Sequence, residues 1–253
     1  MPLSKLNTGL LNAARESSLR PIRALFMILG VLPLSLSAQA PKAIPQAEEA
    51  HHHLVLNNDT VKVFEIDLAP RDALSMHRHD QDEISVALGA ATTVSTTPGQ
   101  ADILTISKAG DLGFTRGGWV QSVRNIGQTA YHSVLIDLQR TQTGARNLCG
   151  AQVTDLPANC PAMTAGTNAP RADVPQFETD QTLVTLTRIG PQQQARFGEP
   201  GRNDLIVVID EAVVGNRKMP PGGTLWIARG GARRVINNNS EREIRVVTVA
   251  FKP

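Results

Sequence analysis

The second half of the sequence copies the first, so the chain is expected to fold as two like units. Residues 69–88, APRDALSMHRHDQDEISVAL, align without gaps on 190–209, GPQQQARFGEPGRNDLIVVI. Residues 110–125, GDLGFTRGGWVQSVRN, align on 223–238, GTLWIARGGARRVINN, with RGG and a closing Asn in both. The offset is 121 residues in the first block and 113 in the second, so the loop between them is eight residues shorter in the second copy. Self-similarity of this kind constrains architecture before any residue is given a role, because each copy is one structural unit.

The unit is made of strands. VKVFEIDL (61–68), EISVALG (83–89), TTVSTT (92–97), ADILTIS (101–107) and YHSVLIDL (131–138) alternate with Gly, Pro, Asn and Asp. TLVTLTRI (182–189), DLIVVIDEAVV (204–214), TLWIARG (224–230) and EIRVVTVAF (243–251) follow in the second half. With only 4% aromatic residues but 20 Gly and 16 Pro, the composition suits short strands and turns, and no amphipathic helix stands out. The expectation is an all-β chain of two barrels, 51–140 and 179–253. The stretch 141–178, rich in Thr, Ala, Pro and Asn, reads as a linker. His51 to His53 read as a mobile polar segment before the first strand, the alternatives being a lid over a site or a scavenger of metal.

The apolar run ALFMILGVLPLSLS (24–37) follows Lys5, Arg15, Arg20 and Arg23 and precedes Ala38-Gln39-Ala40, the pattern of a signal peptide over 1–40. It is short for a membrane span and Pro33 interrupts it. Pro41 disfavours cleavage directly after Ala40, and a retained anchor is the alternative. The implied protein is exported, periplasmic or secreted, with no membrane attachment once cleaved. Removing 1–40 takes away four positive charges and Glu16, which turns the net charge from +2 to about −1. The basic balance therefore belongs to the leader, and no nucleic-acid partner is implied. In an oxidising compartment Cys149 and Cys160 are expected to pair across a short loop, worth about 2–3 kcal/mol on a chain-entropy argument.

The chemistry concentrates at HRHDQDE (77–83). His77 and His79 are two apart, which on a strand puts both imidazoles on one face. A straight strand would carry Glu83 roughly 20 Å from His77 at ~3.3 Å per residue. A shared ion therefore needs a turn through Asp80, Gln81 and Asp82, which are good turn residues. The alternative is a polar turn between ordinary strands.

H-x-H-x3-E-x5-G, here His77, His79, Glu83 and Gly89, resembles the first motif of the cupin superfamily. The family's second motif, G-x5-P-x-G-x2-H-x3-N, is matched by Gly110, Gly118 and Asn125. Arg116 stands in the proline place and Gln121 in the histidine place. The resemblance implies a bicupin, each barrel a double-stranded β-helix or jelly roll. It also implies one divalent ion held by His77, His79, Glu83 and the weaker donor Gln121. Two His and a carboxylate favour Fe(II) or Mn(II), with Zn(II) also admissible. The second copy has Gly198, Pro200, Asp204 and Arg234 at these places, so no metal site is expected there.

Alternation along strands turns Ser85 and Ala87 the same way as Glu83, and Trp119 and Val123 the same way as Gln121. Trp119 is then either a pocket wall or a core residue. Arg116 is a candidate for a substrate carboxylate, although Arg229 holds the same place in the copy without a site. His132 aligns with Arg245 and is a poor ligand candidate. No serine-hydrolase elbow, phosphate loop, C-x-x-C or H-E-x-x-H is present. The resemblance implies a metal-dependent oxidoreductase of dioxygenase type, or a lyase, acting on a small organic substrate. The rivals are a non-catalytic binding protein for a small molecule or metal, and a structural protein with decayed sites. A homodimer through sheet edges is a further expectation.

Overall fold

The computed structural model describes residues 42–149, 152–153 and 171–253. The leader-like segment 1–40 and Cys160 lie outside the described residues, as does the Cys149–Cys160 pairing. The first half contains β1 (Ile44–Pro45), β2 (His52–Asn57), β3 (Val61–Leu68), β4 (His77–His79), β5 (Asp82–Ala87), β6 (Ala91–Thr96), β7 (Ile103–Ser107), β8 (Leu112–Thr115), β9 (Trp119–Asn125) and β10 (Tyr131–Leu138). The second contains β11 (Ala145–Asn147), β12 (Gln152–Val153), β13 (Arg171–Thr179), β14 (Thr182–Ile189), β15 (Gln194–Phe197), β16 (Asn203–Val208), β17 (Ala212–Val214), β18 (Arg217–Met219), β19 (Thr224–Ile227), β20 (Arg234–Asn237) and β21 (Ile244–Phe251). One three-residue 3-10 helix, Gln46–Glu48, is the helical content of the described residues. None of their helices is long and apolar enough to cross a membrane.

Each half is two sheets. In the first, the order β1-β4-β9-β6-β7 stands opposite β12-β8-β5-β10-β3-β2; in the second, β11-β13-β14-β21-β16-β19 accompanies β15-β20-β17-β18. The strand runs at 61–68, 131–138 and 182–189 form as the sequence implies. DLIVVIDEAVV divides in two, because the chain bends at Ile209 and Asp210 between β16 and β17. One sequence expectation is corrected. Residues 171–178, placed in the linker, belong to the nine-residue strand Arg171–Thr179, with a register shift between Pro175 and Phe177 that accommodates the proline.

Alternation explains why both faces of the six-stranded sheets are apolar. In β5, Ile84 and Val86 point away from the first barrel's interior, as do Val61 and Val63 of β3 and Val134 and Ile136 of β10. They join Phe177, Leu205, Val207, Val247 and Val249 in one core shared by the two halves. The intervening positions Phe64, Ile66, Leu68 and Leu135 pack with Leu74 and Val123 inside the first barrel. Ile206, Val208 and Val246 do the same in the second. The second copy therefore covers a face of the first, rather than its edges.

Candidate metal centre

A corner between the two sheets of the first barrel builds the site. β4 pairs with β9 so that His77 lies opposite Gln121 and His79 opposite Trp119. The chain then turns at Asp80 and Gln81 and enters the other sheet at Asp82. Asp82 clamps the turn: its carboxylate accepts the Gly117 N–H at 2.8 Å and the Gln142 N–H at 2.6 Å. Gly117 passes so close that a Cβ there would stand 2.6 Å from the Gln81 carbonyl carbon. Glu83, Ser85 and Ala87 thus face His77, His79, Trp119, Gln121 and Val123 across a cavity of about 170 Å³. Arg78 points outward and pairs with Asp80 at 2.6 Å.

The hydrogen-bonding states of the imidazoles follow from their partners. His77 Nδ1 donates to the Ser75 carbonyl at 2.7 Å, which leaves Nε2 as a lone pair. That Nε2 is buried with no hydrogen-bond partner. Burial holds His77 neutral, its pKa pushed down to about 4. His79 Nδ1 donates to Glu83 Oε2 at 2.8 Å, and its Nε2 lies 3.4 Å from the Gln121 amide nitrogen. Burial opposes charging of His79, but the Glu83 carboxylate outweighs it and raises the pKa. Gln46 Nε2 also donates to Glu83, at 3.3 Å. As the side chains stand, no group of three or more His, Cys, Asp or Glu among the described residues is placed to hold a metal ion. Glu83 is turned to His79 and Gln46. The donor types, their burial and the orphaned His77 Nε2 nevertheless suit a divalent ion, which would compete with these contacts for the carboxylate.

The cavity sits in a known kind of fold. No family model matches the sequence, and no curated protein matches it. Solved structures match in shape. AerE from Microcystis aeruginosa superposes with a TM-score of 0.50 and 11% identity over 81% of this chain and 99% of that one. A variant of salicylate 1,2-dioxygenase from Pseudoaminobacter salicylatoxidans, in complex with gentisate, superposes with a TM-score of 0.51 and 11% identity over 76% of this chain and 69% of that one. Both are cupin-fold proteins. The chain has the cupin fold, twice over.

In this bicupin Trp119 stacks on His79, ring centres 4.2 Å apart and planes 3° from parallel. Its Nε1 is buried without a partner. Trp119 is thus both a wall of the cavity and a brace for an imidazole. Arg116 is not in the cavity, which corrects its candidacy. It follows the end of β8, where its guanidinium donates to the Gln142 carbonyl and lies 3.6 Å from Asp82, beside the corner. His132 is likewise outside, bonded to Glu65 at 2.8 Å.

Two further residues enter the site, one that the sequence did not single out and one that it placed in a mobile segment. Asp137 of β10 is the register partner of Glu83, buried, with Oδ1 unpartnered. Its burial and the Glu83 charge push its pKa up to about 7. His52, expected in a mobile polar segment, is the buried first residue of β2 and lines the cavity. The overlooked signal is the NNDT turn after β2. Asn58 Oδ1 accepts the N–H groups of Thr60 and Val61, which closes a hairpin that sets His52 opposite Ile66, an inward position of β3. In the second cupin, Asp204 accepts Arg202 Nε at 2.9 Å and the Glu199 N–H at 3.1 Å, and Arg234 is exposed.

Proposed function

We propose that the N-terminal cupin is the site of a metal-dependent oxidoreductase of dioxygenase type, or of a lyase, acting on a small organic substrate. The observation that carries this reading is the unpartnered His77 Nε2, buried beside His79 and the Glu83 carboxylate. An unsatisfied buried acceptor is costly, and a cation is the partner that Nε2, His79 and Glu83 have in common. Fe(II) or Mn(II) held there would supply a Lewis acid for a substrate oxygen, and iron a route to dioxygen chemistry.

The chain's own residues define what can enter. The cavity, about 170 Å³, falls below the ~300–1,000 Å³ of sites for drug-sized ligands, so the substrate has few heavy atoms. Ser85, Ser95, Thr105 and Ser107 line it with hydroxyls, which suits a polar substrate. Trp119 offers its free N–H to a substrate oxygen and closes one wall. Gln121 orients a bound group rather than holding charge. The leader-like segment supports action outside the cytoplasm, with Cys149 and Cys160 paired there.

Elemental analysis and oxygen uptake test this. The full-length chain is stripped with chelator, reconstituted anaerobically with Fe(II), Mn(II) or Zn(II), and assayed against small hydroxy acids and phenolic acids. The expected result is one ion per chain in the wild type, none in the His77→Ala/His79→Ala variant, and substrate-dependent turnover in a loaded form. Failure of the wild type to retain any ion overturns the reading.

A further inference from the structure

The Gln121 substitution leaves the cupin site one imidazole short, and the structure brings another to the same place from a different strand. His52 is buried at the start of β2, its ring centre 4.9 Å from that of His77 and 6.3 Å from that of His79, while His77 and His79 are 4.7 Å apart. Two imidazoles bound to one ion through nitrogens at about 2.1 Å have ring centres about 4.5–6.4 Å apart, depending on the angle between the bonds. All three spacings fall in that range.

The tautomer of His52 points the same way. Its Nδ1 donates to Glu49 Oε2 at 3.0 Å, so its lone pair is on Nε2, and that atom is buried with no partner. Glu49 is itself buried and tied. It accepts the His51 N–H at 2.8 Å and, through its other oxygen, the Ser75 N–H at 3.1 Å. The Ser75 carbonyl in turn takes the His77 Nδ1–H. One buried carboxylate thus anchors His52 directly and His77 through the backbone of Ser75, each with Nδ1–H engaged and Nε2 bare. Carboxylate or carbonyl behind Nδ1 and a free Nε2 in front is how metal-binding histidines are held.

We infer that His52 is a ligand of the ion proposed above, completing a set of His52, His77, His79 and Glu83, and that Glu49 is its positioning residue. This rests on the metal reading of the cavity. Gln121 then hydrogen-bonds within the cavity and need not bind the ion.

The test counts imidazoles and measures affinity on the full-length chain. X-ray absorption at the edge of the reconstituted Fe(II) or Zn(II) resolves histidine scattering, and chelator competition gives the dissociation constant. The wild type should show three imidazoles. His52→Gln should show two and bind at least about tenfold more weakly, and Glu49→Gln should bind about tenfold more weakly with three retained, as loss of an outer-shell partner does. Melting of the metal-free variants checks folding. Two imidazoles in the wild type, or unchanged affinity in a folded His52→Gln, overturns the inference while leaving a metal site on His77, His79 and Glu83. No ion in the wild type overturns both. Should His52→Gln not fold, the wild-type imidazole count and Glu49→Gln still decide.

Discussion

Asp137 and His77 set opposing pH limits on the metal-free fold. For His77, held neutral with a pKa near 4, the unfolded chain takes up a proton first as pH falls below about 6.5, so stability is lost on acidification. For Asp137, with a pKa raised from 3.8 to about 7, the unfolded chain releases its proton first as pH rises. Its contribution is full below the unfolded value and is lost as pH climbs through 7. At about 1.4 kcal/mol per unit, that amounts to about 2–3 kcal/mol between pH 5 and 7. Denaturant unfolding of chelator-treated protein should therefore show Asp137→Asn gaining on the wild type by about this amount across that interval. A gap that stays constant with pH would show that Asp137 is already ionised in the folded protein below pH 5. Gln121 makes a second residue-scale case. Its amide lies 3.4 Å from His79 Nε2, so Gln121→His would place an imidazole beside the cluster. Chelator competition should read at least about tenfold tighter binding, roughly 1.4 kcal/mol; unchanged affinity would mean that position 121 does not reach the ion.

Corresponding elements of the two cupins are closed by the same device. Asn125, at the end of β9, donates Nδ2 to the carbonyls of Leu68, Ala69 and Thr129. Asn238, just beyond β20, donates to those of Ile189, Gly190 and Arg242. Both are buried, so removing the amide strands three acceptors. Asn125→Ala and Asn238→Ala should each cost about 2–4 kcal/mol in denaturant unfolding. Asn238→Ala should leave metal stoichiometry unchanged, since its element belongs to the other barrel. A neutral Asn238→Ala would remove the structural reason for the shared closing Asn. These elements were legible because gap-free alignment preserves alternation: with β9 in register, Gln121, Trp119 and Val123 fall inward together, and the turn through Asp80 was required by reach alone. What stayed hidden depends on pairing between distant segments. His52 acquires its direction from the hairpin with β3, and Asp137 its raised pKa from burial and from standing across from Glu83. Arg116 is drawn aside by Asp82 and the Gln142 carbonyl, groups 34 and 26 residues away along the chain. Strand β13 is masked by Pro175, which reads as a strand breaker until the register shift absorbs it.

At the scale of the whole molecule, the repeat produces two barrels but one core. Phe177 of β13 is fully buried and packs on Phe114 of β8, ring centres 6.1 Å apart, so an aromatic pair joins the two copies. Around it Ile84, Val86, Val134 and Ile136 of the first cupin meet Leu205, Val207 and Val247 of the second. Separating the barrels would expose this surface to water, at about 25 cal/mol per Å² of apolar area. The two cupins should therefore unfold together, although their sites have diverged. The sequence supplies a probe for each, since its two tryptophans fall one to a copy: Trp119 stacked on His79 and Trp226 beside Phe251. In Trp119→Phe and Trp226→Phe, the remaining tryptophan reports one barrel alone. Within each metal-free variant, its fluorescence transition should coincide with the loss of β-sheet circular dichroism from the whole chain. Phe177→Ala should cost about 3–5 kcal/mol and lower both signals together, because the cavity it leaves belongs to neither barrel alone. A fluorescence transition separate from the sheet transition, or a Phe177→Ala effect confined to the Trp226 signal, would mean that the cupins are thermodynamically independent. The C-terminal copy would then not be what supports the N-terminal site.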